Sequence, residues 1–202
     1  MGTQSVTDSS QWLRTWINLI GEYVYDTDMS SKSATSKLFG YNVEFTYSET
    51  WIAYALFALR LMMGWVFFYA GIVKVIDPNW SARPFLLNVD PANPLVDVWV
   101  AMADWVWLLT PLNQVGLTLV GIALLVGAFV RLSAFFGAMM MLFYWASAYP
   151  FPDAIFIDFH LIYAFLLFAL GAAGAGRILG LDQWIEELDI VKNNPRLTVL
   201  LG

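Results

Sequence analysis

Four long apolar segments dominate this chain, at residues 51–76, 112–130, 132–149 and 155–179. A membrane-spanning helix needs about 20 predominantly apolar residues. Four such stretches in 202 residues leave little chain for a water-soluble core. The charged fraction is 13%, against about 25% in a typical globular domain. Short connections, at Arg131 and at Pro150-Phe151-Pro152-Asp153, make successive segments antiparallel neighbours. The expected fold is all-α: an integral membrane four-helix bundle with interfacial amphipathic helices.

Three regions follow along the chain: an N-terminal amphipathic helix and polar linker (1–50), the membrane domain (51–188) and a C-terminal tail (189–202). Residues 11–25 carry an apolar stripe of Trp12, Leu13, Trp16, Ile17, Ile20, Tyr23 and Val24. Two tryptophans on a short amphipathic helix suit a membrane interface; docking on a partner subunit is the other reading. Residues 26–37, rich in Ser, Thr and Asp, read as a linker. Residues 94–110 hold Asp97 and Asp104 on one face beside Trp99, Trp105 and Trp107. Two acids in so short a stretch fit an interfacial or half-inserted helix better than a fifth span. Gly180 is placed to cap the fourth helix, and 182–190 to lie flat on the membrane.

With four spans, both termini and the turn at Arg131 share one side. That side carries Arg14, Lys32, Lys37, Arg131, Arg177, Lys192 and Arg196; the other carries Lys74 and Arg83. Basic residues collect on the cytoplasmic side, so both termini are expected in the cytoplasm of a multi-pass protein.

Several chemistries are excluded. There are no cysteines, so disulfides, thiolate metal sites and iron–sulfur clusters are absent. One histidine cannot build a multi-histidine metal site or a bis-histidine haem. No metal, haem or flavin motif and no phosphate-binding loop is present. Net charge is −6, which argues against nucleic acid as a partner. An acidic, lysine-poor surface suits a halophilic setting; ordinary acidic loops are the simpler account.

Polar groups inside spans carry the most information, because each is costly there. Arg60, Gly64, Phe67, Gly71 and Lys74 fall on one face of the first helix. Gly64 and Gly71 allow a neighbour's backbone to approach. Lys74 sits near the outer end, and Arg60 deeper. His160 and Tyr163 share a face of the fourth segment; Asp158, two residues before His160, points about 200° away around that helix, toward a different neighbour or the outer interface. Lys74, Asp158, His160 and Tyr163, with Tyr144, Trp145 and Tyr149, belong to the outer half of the bundle. Cations, an imidazole, phenols and indoles suit a flat carbonyl-bearing ring such as a quinone, which needs donors and aromatic walls. They equally suit a small oxyanion. They also admit a purely structural reading, in which buried charges and hydrogen bonds hold the helices together.

A family resemblance enters on these residues. Arg60-Leu61-Met62-Met63-Gly64, Ala70-Gly71-Ile72-Val73-Lys74 and Asp77-Pro78 resemble the first helix of DoxX and DoxD proteins. Trp80-Ser81, Phe85-Leu86 and Asn93-Pro94 resemble the loop of the DoxD branch. Residues 116–131 resemble the second helix; His160-Leu161-Ile162-Tyr163, Gly174-Ala175-Gly176-Arg177 and Gly180-Leu181-Asp182 resemble the last helix and its exit. The resemblance implies a four-helix membrane fold. For the DoxD branch it implies a small membrane subunit of thiosulfate:quinone oxidoreductase, partnered by a second subunit. It singles out Arg60, Lys74, His160 and Arg177. The expected function is thus a membrane subunit of a quinone-linked oxidoreductase, with His160 and Tyr163 catalytic, and Arg60, Lys74, Trp145 and Asp158 binding quinone or anion. Gly64, Gly71, Arg131 and Arg177 are the structural set. Quinone is the one cofactor expected. Lipid, another membrane or membrane-anchored subunit, or a second copy of the chain are the expected partners. The alternative is a non-catalytic accessory or assembly subunit of a larger complex.

Overall fold

A computed structural model describes residues 31–151 and 154–202. The amphipathic segment expected at 11–25 lies outside the described residues. By internal contacts the chain divides into two units, 1–52 and 53–202.

The described part of the first unit is a β-hairpin. Strand β1 (Ser31–Leu38) pairs antiparallel with β2 (Tyr41–Ser48), in register from Ser31 opposite Ser48 to Leu38 opposite Tyr41. Phe39 and Gly40 form the two-residue turn, both at positive φ (50° and 88°), which matches the right-handed twist of paired strands. Residues 31–37 were expected to be linker; they are a strand instead. Their Ser, Thr and Lys side chains are exposed along almost the whole strand, so no apolar alternation marks it. Pairing with β2, where Val43, Phe45 and Tyr47 alternate, supplies what β1 lacks.

Helix α1 (Glu49–Val75) begins directly after β2. Its buried positions are Arg60, Met63, Gly64, Phe67 and Gly71, the spacing of one helix face. Asp77-Pro78 follows its end, and the residue before a proline is disfavoured in the helical region. A short α2 (Arg83–Leu87) leads to α3 (Val96–Met102), a 3₁₀ turn (Ala103–Trp105) and α4 (Val106–Val126). The second long helix therefore starts before Pro111, which lies inside α4. Residues 96–126 form one helical run of 31 residues. Helix α5 (Val130–Ser147) follows a turn in which Gly127 and Phe129 take positive φ; Arg131 thus lies in the first turn of α5.

The fourth segment is shorter than expected. Helix α6 spans Phe159–Ala172. Residues 155–158 precede it as turn and extended chain. Residues 173–180 leave the helix as tight turns, with Gly174 at φ +65°. Among the described residues three helices are long and apolar enough to cross a membrane: α1, the run 96–126, and α5. α6 is a shorter apolar helix.

All four long elements share one core: Met63 and Phe67 from α1, Leu117, Val120 and Leu124 from α4, Ala134 and Met141 from α5, Leu167 and Leu170 from α6. Close approach comes from glycine. A Cβ at Gly64 would lie 2.9 Å from the Leu125 backbone nitrogen, and one at Gly71 would fall on Thr118. Outward faces carry exposed Trp65, Tyr69, Leu119, Phe135, Phe165 and Phe168. An apolar exterior of that extent marks a face turned to something other than water.

The C-terminal tail packs back on its own unit. Helices α7 (Asp182–Glu186) and α8 (Asp189–Lys192) and a 3₁₀ segment (Pro195–Leu200) follow α6, and Val191 and Leu201 are buried.

Candidate functional site

The antiparallel helices bring two sets of polar side chains together, one at each end of the domain. At the first end, Arg60 is fully buried. Its Nη1 donates to the carbonyls of Ala175 and Ile178, the latter at 2.8 Å, and its Nη2 to Leu179 at 3.2 Å. These carbonyls belong to the turns that follow α6. Asp182, also 0% exposed, accepts from the backbone nitrogens of Phe129 (2.6 Å), Val130 (3.0 Å) and Gly202 (2.8 Å). It supplies the start of α5 with the acceptor its free N–H groups need. A side chain at Gly127 would meet Arg60 Nη1 at 2.9 Å, and one at Gly176 would fall on Asp182. Gly127, in the turn after α4, and Gly176, in the exit motif, are explained by this crowding.

Arg60 and Lys74 are therefore not partners. They lie fourteen residues apart on α1, about 21 Å at 1.5 Å per residue. Arg60 sits midway along its own helix, yet at the level where α4 and α6 end. Arg131 belongs to the same end: its Nε donates to the Gly171 carbonyl at 3.2 Å and its Nη1 to Thr198 at 3.4 Å. Arg177 pairs with Glu186 at 2.6 Å on the surface.

The second end is built differently. Lys74, in the last turn of α1, donates to Asn113 Oδ1 at 2.9 Å. Asn113 Nδ2 in turn bonds the Tyr144 hydroxyl. Gln114 Nε2 donates to the Lys74 carbonyl at 2.7 Å, tying α4 to the end of α1. The Lys74 ammonium lies 4.9 Å from the Trp80 ring centroid and 5.8 Å from that of Tyr144, within cation–π range. His160 stacks on Tyr144, with ring centroids 5.5 Å apart and planes 28° from parallel. Its Nδ1 meets Asp158 Oδ2 at 2.6 Å.

The Asp158–His160 pair corrects the expectation that the two point apart. That angle assumes a helix through both residues. Asp158 is the extended N-cap of α6 (φ −125°, ψ 179°), and its other oxygen accepts from Leu161 N at 3.0 Å. One carboxylate thus caps the helix and fixes the imidazole, an arrangement that orients a histidine for proton exchange at its other nitrogen.

Two adjoining cavities open on these groups. One, of about 490 Å³, is lined by His160, Tyr144, Phe85, Asn88, Asp90 and Tyr149 among others. The second, of about 470 Å³, is lined by Lys74, Asn113, Trp80, Asp77, Phe85 and Tyr144 among others. Phe85 and Tyr144 belong to both walls and meet edge to face at 5.4 Å. Asn93, buried, holds the loop over this end by donating to the carbonyls of Ala146, Ser147 and Tyr149.

Four expected residues lie off these walls: Arg60 at the other end, Asp158 behind His160, and Trp145 and Tyr163. Trp145 donates through Nε1 to the Phe156 carbonyl at 2.7 Å and stacks on Phe151, so it secures the loop before α6. Tyr163 packs on the core and meets Phe159 at 5.8 Å; among the described residues it makes no bond to His160. Asn113 was not singled out from sequence, and Trp80 and Phe85 entered only through the resemblance, with no site role. Asn113 carried a usable signal: it is a polar side chain inside an apolar helix, and such residues are expensive without a role. Among the described residues no cluster of His, Asp and Glu could hold a metal ion.

The DoxX family model matches residues 55–150. The match includes Arg60, Lys74, Asn113 and Tyr144 and ends before His160. No curated protein and no solved structure matches the chain. Over residues 55–150 the chain is similar to the DoxX family, a family of membrane proteins.

Proposed function

We propose that the chain is a membrane subunit of a quinone-linked oxidoreductase, binding quinone in the cavities beside Tyr144 and His160. The observation that carries the reading is one connected wall: Lys74, Asn113, Tyr144 and His160 follow one another in contact along two cavities, and Asp158 bonds His160 from behind. Such a wall offers donors for carbonyl oxygens and aromatic faces for a ring. A bound quinone would supply a two-electron, two-proton acceptor. Lys74 would hold developing negative charge, and His160, oriented by Asp158, would hand over a proton. Electrons would come from an oxidisable sulfur compound such as thiosulfate, through a partner subunit. Both termini would face the cytoplasm; single cysteines at Ser36, Ser81 and Asn194 test this, with impermeant labelling expected only at Ser81.

The deciding experiment is native purification followed by substrate-dependent quinone reduction, for the wild type and His160→Ala. Turnover in the wild type and its loss in an assembled variant support the reading. A second reading, an accessory subunit without catalysis, is favoured by the way Lys74, Asn113 and Tyr144 bond one another. Recovery in a stoichiometric complex, with neither quinone nor activity, would establish it.

A further inference from the structure

We infer that Tyr144 is the hydrogen-bond donor offered to the ligand, and that Lys74 and Asn113 together hold it in that role. This deepens the quinone reading and rests on it. A lysine ammonium has donors and no acceptor. The Asn113 atom 2.9 Å from Lys74 Nζ is therefore the amide oxygen, and the amide NH₂ is turned to Tyr144. An NH₂ group can only donate, so the Tyr144 oxygen accepts. Its own hydrogen is left uncommitted; among the described residues no acceptor takes it. The ring that carries it is clamped between His160, stacked at 5.5 Å, and Phe85, edge-on at 5.4 Å, and it lines both cavities.

The ligand class follows. A fixed O–H donor recognises an oxygen that only accepts, such as a quinone carbonyl. It gives nothing to an aromatic hydrocarbon of the same shape. Tyr144 is then a ligand-contacting residue, while Asn113 is a positioning residue that acts through it.

The test uses the purified full chain in detergent, titrated calorimetrically with 1,4-naphthoquinone and with naphthalene, which has the same ring skeleton without oxygens. Tyr144→Phe should weaken naphthoquinone binding about fivefold to tenfold, the scale of one hydrogen bond, and leave naphthalene unchanged. Asn113→Asp supplies the control that a packing role would not mimic. An aspartate is nearly isosteric, accepts only, and would pair with Lys74 while taking the Tyr144 hydrogen. It should therefore reproduce the Tyr144→Phe loss with the hydroxyl still present, and without a lower melting temperature. Unchanged naphthoquinone affinity in either variant overturns the inference and leaves the quinone reading standing. Equal losses for both ligands overturn it in favour of packing. A wild-type protein that binds no naphthoquinone overturns the inference and the quinone reading together.

Discussion

Arg60 and Lys74 are cations on the same face of one helix, yet their surroundings differ in kind. Around Arg60 the chain closes: carbonyls of the α6 exit take its guanidinium, Asp182 caps α5 beside it, and glycines admit the crowding. Nearly every polar valence there is used by the protein itself, apart from Arg60 Nε. Around Lys74 the chain opens: side chains bond side chains, and cavities adjoin them. A buried charge is thus no sign of a site by itself. The difference lies in unspent hydrogen-bonding capacity next to space, which the Tyr144 end has and the Arg60 end lacks.

The sharpest break of that comparison is Arg60→Leu. It takes the guanidinium from the carbonyls of Ala175, Ile178 and Leu179 and removes a buried cation whose charge favours Asp182. Removing one member of a buried charged set costs about 3–5 kcal/mol, so melting in detergent should fall steeply or the protein should fail to assemble. A stable Arg60→Leu protein with a changed ligand affinity would erase the distinction between the two ends. Asp182→Asn should follow at about 1–3 kcal/mol. Only one amide oxygen then remains for the three backbone N–H groups of Phe129, Val130 and Gly202. Loss of a defined α5 start, read as faster amide exchange at 129–133, would accompany it; unchanged exchange would show that the cap is dispensable.

This contrast also sorts what the sequence made legible. The α1 face was, because a helix of known period makes the buried set a matter of counting: Arg60, Gly64, Phe67 and Gly71 are all buried. The role of Asp182 was not, since its acceptor work is done for residues more than fifty positions away. The end of α6 was misjudged because residues 173–179 are apolar or glycine except for Arg177 while the backbone turns, and hydropathy does not register a turn. The Asp158–His160 pair was missed for the opposite reason: helical geometry was applied to an extended residue. Strand β1 was invisible because its pairing partner, rather than its own pattern, makes it a strand.

At the open end the effects on stability should be small and those on function large. His160→Ala removes one hydrogen bond to Asp158, about 1 kcal/mol, and Asp158 keeps its cap on Leu161. A general acid–base contributes about 10²–10⁴ in rate, so turnover should fall by that order while melting shifts little. Destabilisation in proportion to lost activity would turn the Tyr144 end into a second structural knot.

The smallest expected shift in stability belongs to Lys74→Gln, and it probes what the charge does. Glutamine retains an NH₂ that can donate to Asn113, and it fills much of the same space. Lost are the ammonium's contacts with the Trp80 and Tyr144 rings, worth about 0.5–1 kcal/mol where solvent reaches them. Also lost is a constraint. A glutamine can donate or accept, so Asn113 is free to turn its amide over and accept from Tyr144. Ligand affinity should then fall partway toward that of Tyr144→Phe, by about twofold to fivefold on the hydrogen-bond scale, with melting nearly unchanged. Lys74→Met, which can donate nothing, should fall at least as far. If Lys74→Gln instead melts as far below the wild type as Arg60→Leu does, the two cations are alike after all. The opening at the Tyr144 end would then be incidental to what Lys74 holds together.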